Sequence, residues 1–164
     1  RIIGNGSKDQ QIFFYPDEVP YKNNNNFFYQ KYYNWEEFGL DILNDLNGEY
    51  FHSCARKKLL IRAGDTDKAK IVTNKKFTEI AKKISKALRH IGILDIDFLI
   101  NGSKILILDL NPRIGGGYPF THEAGFNYLE EILNWVSQKK KKSSLKKKKF
   151  TSIIFSKGIS LYKN

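Results

Sequence analysis

The sequence predicts an α+β fold in which an antiparallel β-sheet is packed against α-helices. Two hairpin signals and one strong helical stripe carry that expectation. Asn47-Gly48 separates Phe38–Asn44 from Glu49–Ala55, and Asn-Gly between such runs is the strongest short-range hairpin signal. Residues 96–100 and 105–110 flank a second polar turn, Asn101-Gly102-Ser103-Lys104. Between the hairpins, Phe77, Ile80, Ala81, Ile84, Ala87, Leu88 and Ile91 recur at three-and-four spacing, which marks an amphipathic helix.

The remaining elements follow in order. Ile2-Ile3 runs into Gly4-Asn5-Gly6-Ser7, a turn or loop. Residues 11–15 read as a strand, 16–26 as a polar connection, and the aromatic-rich 27–33 as extended chain. Asn74 can cap the helix and Gly92 can stop it. Residues 105–110 are nearly all apolar, which predicts a strand buried on both faces. Gly115-Gly116-Gly117 reads as a loop lying close against other backbone. A second helix runs from about Tyr128 to Ser137, capped by Asn127, with Leu129, Ile132, Leu133 and Val136 as its apolar stripe. Glu130 and Glu131 stand in its first turn, where the helix dipole favours acids. Residues 150–157 supply a last strand.

At 164 residues the chain is long enough for one well-buried domain. The single cysteine, Cys54, rules out an internal disulfide framework and a cysteine-rich zinc site. It suits a reducing cytosol, and a cytoplasmic protein is expected. No apolar run approaches the roughly 20 residues of a membrane span, so no membrane partner is expected. Net charge is +11, but eight lysines lie between Lys139 and Lys149, and without them the balance is +3. No aromatic interleaves that run, so a solvated linker is preferred to a nucleic-acid-binding patch. The chain contains no methionine and begins at Arg1, which suggests a fragment or a processed product.

One constellation stands out for chemistry: Asp97, then Asp109-Leu110-Asn111-Pro112-Arg113. Asp109 and Asn111 are two apart on an extended chain and share a face. Carboxylates, an amide oxygen and a guanidinium together suit magnesium and phosphate. Whether Asp97 joins them depends on register. A two-residue Asn101-Gly102 turn places it opposite Leu106, with Asp109 on the other face. An odd loop places it opposite Asp109. The alternative is a surface hairpin in which Arg113 merely pairs with Asp109.

The same residues carry a resemblance. Asp109 to Pro119 reads Asp-Leu-Asn-Pro-Arg-Ile-Gly-Gly-Gly-Tyr-Pro, followed by His122 and Gly125-Phe126-Asn127. This resembles the C-terminal signature of the ATP-grasp superfamily, and is most similar to the branch related to the carbamoyl phosphate synthase large subunit. Upstream, Gln30 to Tyr33 with Glu36, Glu37 and Phe38 resembles the family's nucleotide hinge. Arg62 to Lys68 resembles the loop that follows it, and Gly4 to Ser7 resembles its glycine-rich flap. Asp109 stands where the family pattern has glutamate, and Lys31 where its hinge carries an acid.

The resemblance implies an incomplete ATP-grasp fold, its C-terminal portion. Residues 1–26 would be the remnant of the lid subdomain, and 27–164 the C-terminal subdomain with 139–149 as a linker. It implies ATP and two magnesium ions, with manganese as a substitute, held by Asp97, Asp109 and Asn111. Arg113 would bind the transferred phosphoryl group as the catalytic residue. Gln30, Lys31, Tyr32 and Tyr33 would meet the adenine, Glu37 the ribose, and Gly4, Gly6 and Ser7 the phosphates. The implied activity is a ligase that activates a small-molecule carboxylate as an acyl phosphate for attack by an amine. The partner would be the N-terminal ATP-grasp half, in the same or another chain, without which this piece is expected to be inactive. A degenerate, non-catalytic nucleotide-binding or interaction module is the second reading.

Overall fold

The computed structural model describes residues 2–3, 28–138, 143, 145 and 153–158. The flap at Gly4, Gly6 and Ser7, the strand expected at 11–15 and most of the lysine run lie outside the described residues. The elements are β1 (Ile2–Ile3), β2 (Phe28–Tyr29), β3 (Glu36–Asn44), β4 (Tyr50–Arg62), β5 (Asp65–Val72), α1 (Lys75–Leu88), β6 (Gly92–Asn101), β7 (Lys104–Asn111), α2 (Tyr118–Glu123), α3 (Tyr128–Val136) and β8 (Ile154–Ser156). β1 and β2 form a small antiparallel pair. The other six strands form one antiparallel sheet in the order β7-β6-β3-β4-β5-β8.

Both expected hairpins form. Asp45 shapes the first turn, its carboxylate accepting from the backbone N–H groups of Asn47 and Glu49. Gly48 there has φ +76°, and a Cβ on it would sit 2.6 Å from the carbonyl oxygen of Arg89, so this position needs glycine.

Side-chain alternation sorts the sheet into two faces. On one, Phe38, Leu40, Ile42, Ala55, Leu94, Ile96 and Phe98 pack against Phe77 and Ala81 of α1. Leu40, Ile42 and Ile96 are fully buried, and such burial is worth about 1.5–3 kcal/mol per side chain. On the other, Leu43, Cys54, Ala69, Ile71 and Ile93 pack under α2 and α3. Tyr118 fastens these two helices together, its hydroxyl accepting from the backbone N–H of Tyr128 at 2.9 Å.

Both expected helix caps are present. The Asn74 side chain accepts from the Lys76 N–H, and the Asn127 side chain from the Glu130 N–H. Three expectations need correction. α1 ends at Leu88 because Arg89 turns left-handed at φ 48° and returns its N–H to Ser85. Gly92 instead opens β6, and Ile91 is exposed. The inward face of α3 carries Tyr128, Glu131, Ile132 and Trp135, whereas Leu133 and Val136 point outward. The fully buried Tyr128, hydrogen-bonded to His52 at 2.8 Å, sets that rotation. β7 is an edge strand with Ile107 and Leu110 exposed, so its apolar run is not buried on both faces. Tyr118–Glu123, to which the sequence pattern assigns no element, is a short helix.

Candidate functional site

The face that carries α2 and α3 changes character along the strands. Leu43, Cys54 and Ile93 form its apolar end. Next comes a buried charge layer. The Arg56 guanidinium donates to Asp41 at 2.6 Å and to Asp95 at 2.7 Å, and Arg56 is 1% exposed. Thr121 donates to the same Asp41 oxygen. Burial opposes the charge on Arg56, but Asp41 and Asp95 outweigh it and hold the guanidinium above its ordinary pKa. Burial, reinforced by Asp41 and opposed by Arg56, pushes the Asp95 carboxyl up. Cys54 lies beside this layer, and burial with the Asp41 charge raises its thiol to about 12, which makes it an inert core residue.

The triple glycine lies directly on this layer. A Cβ on Gly115 would sit 1.9 Å from Asp95 Oδ2, and one on Gly117 would sit 2.1 Å from Arg56 Nη2. A Cβ on Gly39, beneath the same guanidinium, would meet Arg56 Nε at 2.7 Å. Glycine is required here by close approach. The loop that follows Arg113 is therefore seated on the Arg56 cluster.

Beyond the charge layer the face opens. The register pairs Asp97 with Asp109 and Asp95 with Asn111. The turn is the two-residue Gly102-Ser103, since Asn101 pairs with Lys104. That parity alone would leave Asp97 opposite Leu108. A register shift between Asp97 and Phe98 supplies the odd residue in β7, as a β-bulge does. The juxtaposition expected from an odd loop is thus made by an even turn and a bulge.

Asp109 accepts from the Leu110 N–H at 2.9 Å and from the Asn111 amide at 2.8 Å. Glu37 accepts from Lys58 Nζ at 2.8 Å, and Asp97 Oδ1 forms an ion pair with the same ammonium at 2.8 Å. Arg113 is exposed and donates to the Ile114 carbonyl at 3.2 Å, so it does not close a pair with Asp109. Leu99 and Leu108 floor a cleft of about 90 Å³ walled by Gln30 to Tyr33, Trp35 and Glu37. The structure therefore brings together Gln30, Lys31, Tyr32, Tyr33, Glu37, Asp97, Asp109 and Asn111 at one end of one face. A larger cavity of about 470 Å³ lies by α1, lined by Phe38, Val72, Thr73, Asn74 and Phe77. It holds no carboxylate.

Asp97, Asp109 and Asn111 offer only hard oxygen donors, which fits magnesium. Among the described residues no three His, Cys, Asp or Glu side chains form a metal-holding group. A divalent ion here would complete its shell with phosphate oxygens and water, as magnesium ordinarily does. Sequence reasoning missed Lys58 and the Arg56 cluster. The usable signal was the strand period: Arg56 and Lys58 alternate on β4 as Glu37, Gly39 and Asp41 alternate on β3.

Residues 24–156 match the family model described as ATP-grasp in the biosynthetic pathway with Ter operon. The chain belongs to this ATP-grasp family. Two solved structures share the ATP-grasp fold seen here. One is a variant of Rhizobium etli pyruvate carboxylase crystallized without acetyl coenzyme A, at TM-score 0.52 and 20% identity over 62% of this chain. The other is the ATPase subunit of phosphoribosylaminoimidazole carboxylase from Aquifex aeolicus, at TM-score 0.51 and 17% identity over 65% of this chain. The chain spans 11% of the first protein and 36% of the second. Among the described residues no helix is long and apolar enough to cross a membrane.

Proposed function

We propose that this chain is the magnesium-side part of an ATP-grasp carboxylate–amine ligase. The observation that carries the reading is the Asp97–Asp109 register pair, with Asn111 on the same face, beside a cleft floored by Leu99 and Leu108. In this reading residues 27–164 form the C-terminal subdomain and 1–26 the remnant of the lid, whose Gly4, Gly6 and Ser7 close over the phosphates. The apolar floor and the chain from Gln30 to Tyr33 take the adenine, and Glu37 takes the ribose hydroxyls. Asp109, Asn111 and Asp97 form the metal-binding set. Arg113, free of an acidic partner among the described residues, binds the phosphoryl group by its fork of donors.

The chemistry follows from charge. A carboxylate oxygen of the substrate attacks the γ-phosphorus of ATP, the bond to the bridging oxygen breaks, and ADP leaves. An amine then attacks the acyl carbon, phosphate departs with the bonding pair, and the amine gives up a proton. The first step is mostly positioning and neutralisation of phosphate charge, and magnesium would supply part of that neutralisation. The seated glycine loop holds Arg113 near the face.

Asp109→Asn tests the reading, because it keeps shape and removes the charge. Binding of a non-hydrolysable ATP analogue, followed calorimetrically with and without magnesium, should lose its magnesium dependence. Equal magnesium-dependent affinity in variant and parent would remove Asp109 from the site.

A further inference from the structure

The two site carboxylates do not have equal surroundings. The Lys58 side chain is 6% exposed, and its ammonium lies 2.8 Å from Glu37 and 2.8 Å from Asp97. Asp97 thus already carries a cation, delivered by β4 across the intervening β3. Asp109, among the described residues, accepts from two neutral donors, the Leu110 N–H and the Asn111 amide. Its side chain is exposed and ready for an ion.

We propose that Lys58 replaces one of the two divalent ions, so that nucleotide binds here with a single ion held by Asp109 and Asn111. The proposal rests on the nucleotide-binding reading above and departs from the two-ion expectation. A divalent ion on Asp97 would face an ammonium already paired with the same carboxylate, on a lysine side chain that is 6% exposed against a carboxylate that is 29% exposed. Like charges so placed repel, and burial of the ammonium reduces the screening by water and salt. The ammonium has three N–H donors and no acceptor. Glu37 takes one and Asp97 is held by charge, which leaves a donor for a phosphate oxygen. Lys58 can therefore do for the nucleotide what a second ion would do, at a fixed place and without an ion-binding equilibrium. It also orients Glu37, the residue assigned to the ribose, by the bond at 2.8 Å.

The test counts ions. Mn²⁺ serves as the probe with a non-hydrolysable ATP analogue, and electron paramagnetic resonance reads bound against free ion in the full chain. The parent should bind one Mn²⁺ per chain. Lys58→Met should bind a second, or bind Mn²⁺ at least about tenfold tighter in the absence of nucleotide, since a neighbouring positive charge is gone. Lys58→Arg keeps the charge and should remain at one, and it decides the matter together with the parent if Lys58→Met does not fold. Two ions in the parent would overturn the assignment of Lys58 and leave the nucleotide reading intact. One ion in every variant with unchanged affinity would also overturn it. No analogue-dependent Mn²⁺ binding in any of the proteins would remove both readings.

Discussion

Replacing Arg56 by methionine should be among the most damaging single changes in this chain. Arg56 is 1% exposed and holds Asp41 and Asp95 at 2.6 and 2.7 Å. Methionine fills much of the same space without the charge. It leaves two carboxylates buried side by side with no cation between them. Breaking a buried ion pair by removing one partner costs about 3–5 kcal/mol. Total stability is commonly about 5–15 kcal/mol, so the loss is a large share of the whole. At about 2–4 °C per kcal/mol for a domain of this size, the melting temperature should fall by about 6–20 °C. The loss must also depend on pH. In the variant the stranded carboxyls take up protons more readily folded than unfolded, so folded stability improves as the solution is acidified through their range. The gap between parent and variant should therefore be widest near neutrality and shrink toward about pH 4. Thermal unfolding of both proteins across that range reads it out. A loss below about 1 kcal/mol at neutral pH, or a gap that does not narrow in acid, would refute the argument that this cluster is held together by its charge.

Two further outcomes follow from the same structure. Gly117 has an ordinary φ of −82°, so Gly117→Ala should destabilise purely by driving its Cβ into Arg56, by about 1–3 kcal/mol in denaturant unfolding. Gly116→Ala, whose Cβ would meet only the surface carboxylate of Asp65 at 2.7 Å, should stay within about 0.5 kcal/mol. Burial lowers the pKa of His90, so the unfolded chain binds its proton first as pH falls through about 6.5. The parent should lose melting temperature between about pH 7.5 and 5.5, and His90→Gln should lose less over that window. Parallel pH profiles would show that His90 does not contribute.

What the sequence made legible was local. Asn74 and Asn127 cap the helices expected of them, because a cap needs only its own next few residues. The hairpins formed where Asn47-Gly48 and Gly102-Ser103 announce them. What stayed hidden was decided across the sheet. The inward face of α3 follows from a bond between Tyr128 and His52, 76 residues apart, and an apolar stripe in one helix carries no word of it. The exposure of β7 follows from strand order, which puts a nearly all-apolar run at an edge. Of the candidate site, Asp97, Asp109, Asn111 and the segment from Gln30 to Tyr33 could be singled out from residue type and order. Lys58 was missed, because a lysine on a strand looks like a solvated side chain until the strand period is set against the neighbouring strands, which supply Glu37 and Asp97.

The irregularity at Leu108 has a consequence for how this site could change. β7 behaves as two short ladders in series with opposite phase. Its first part, Lys104 to Ile107, keeps step with the turn, and its last part, Asp109 to Asn111, keeps step with the acidic face. The phase of the site is therefore set beside the site and not at the turn. Altering the turn by two residues would leave Asp109 where it is, and deleting Leu108 would close the irregularity into a regular ladder that still pairs Asp97 with Asp109; Asp109 and Asn111 would swing to the opposite side of the sheet only if Leu108 were drawn into the ladder opposite Asp97. One aliphatic residue left out of the ladder thus lets a two-residue turn and the Asp97–Asp109 pair coexist on one strand.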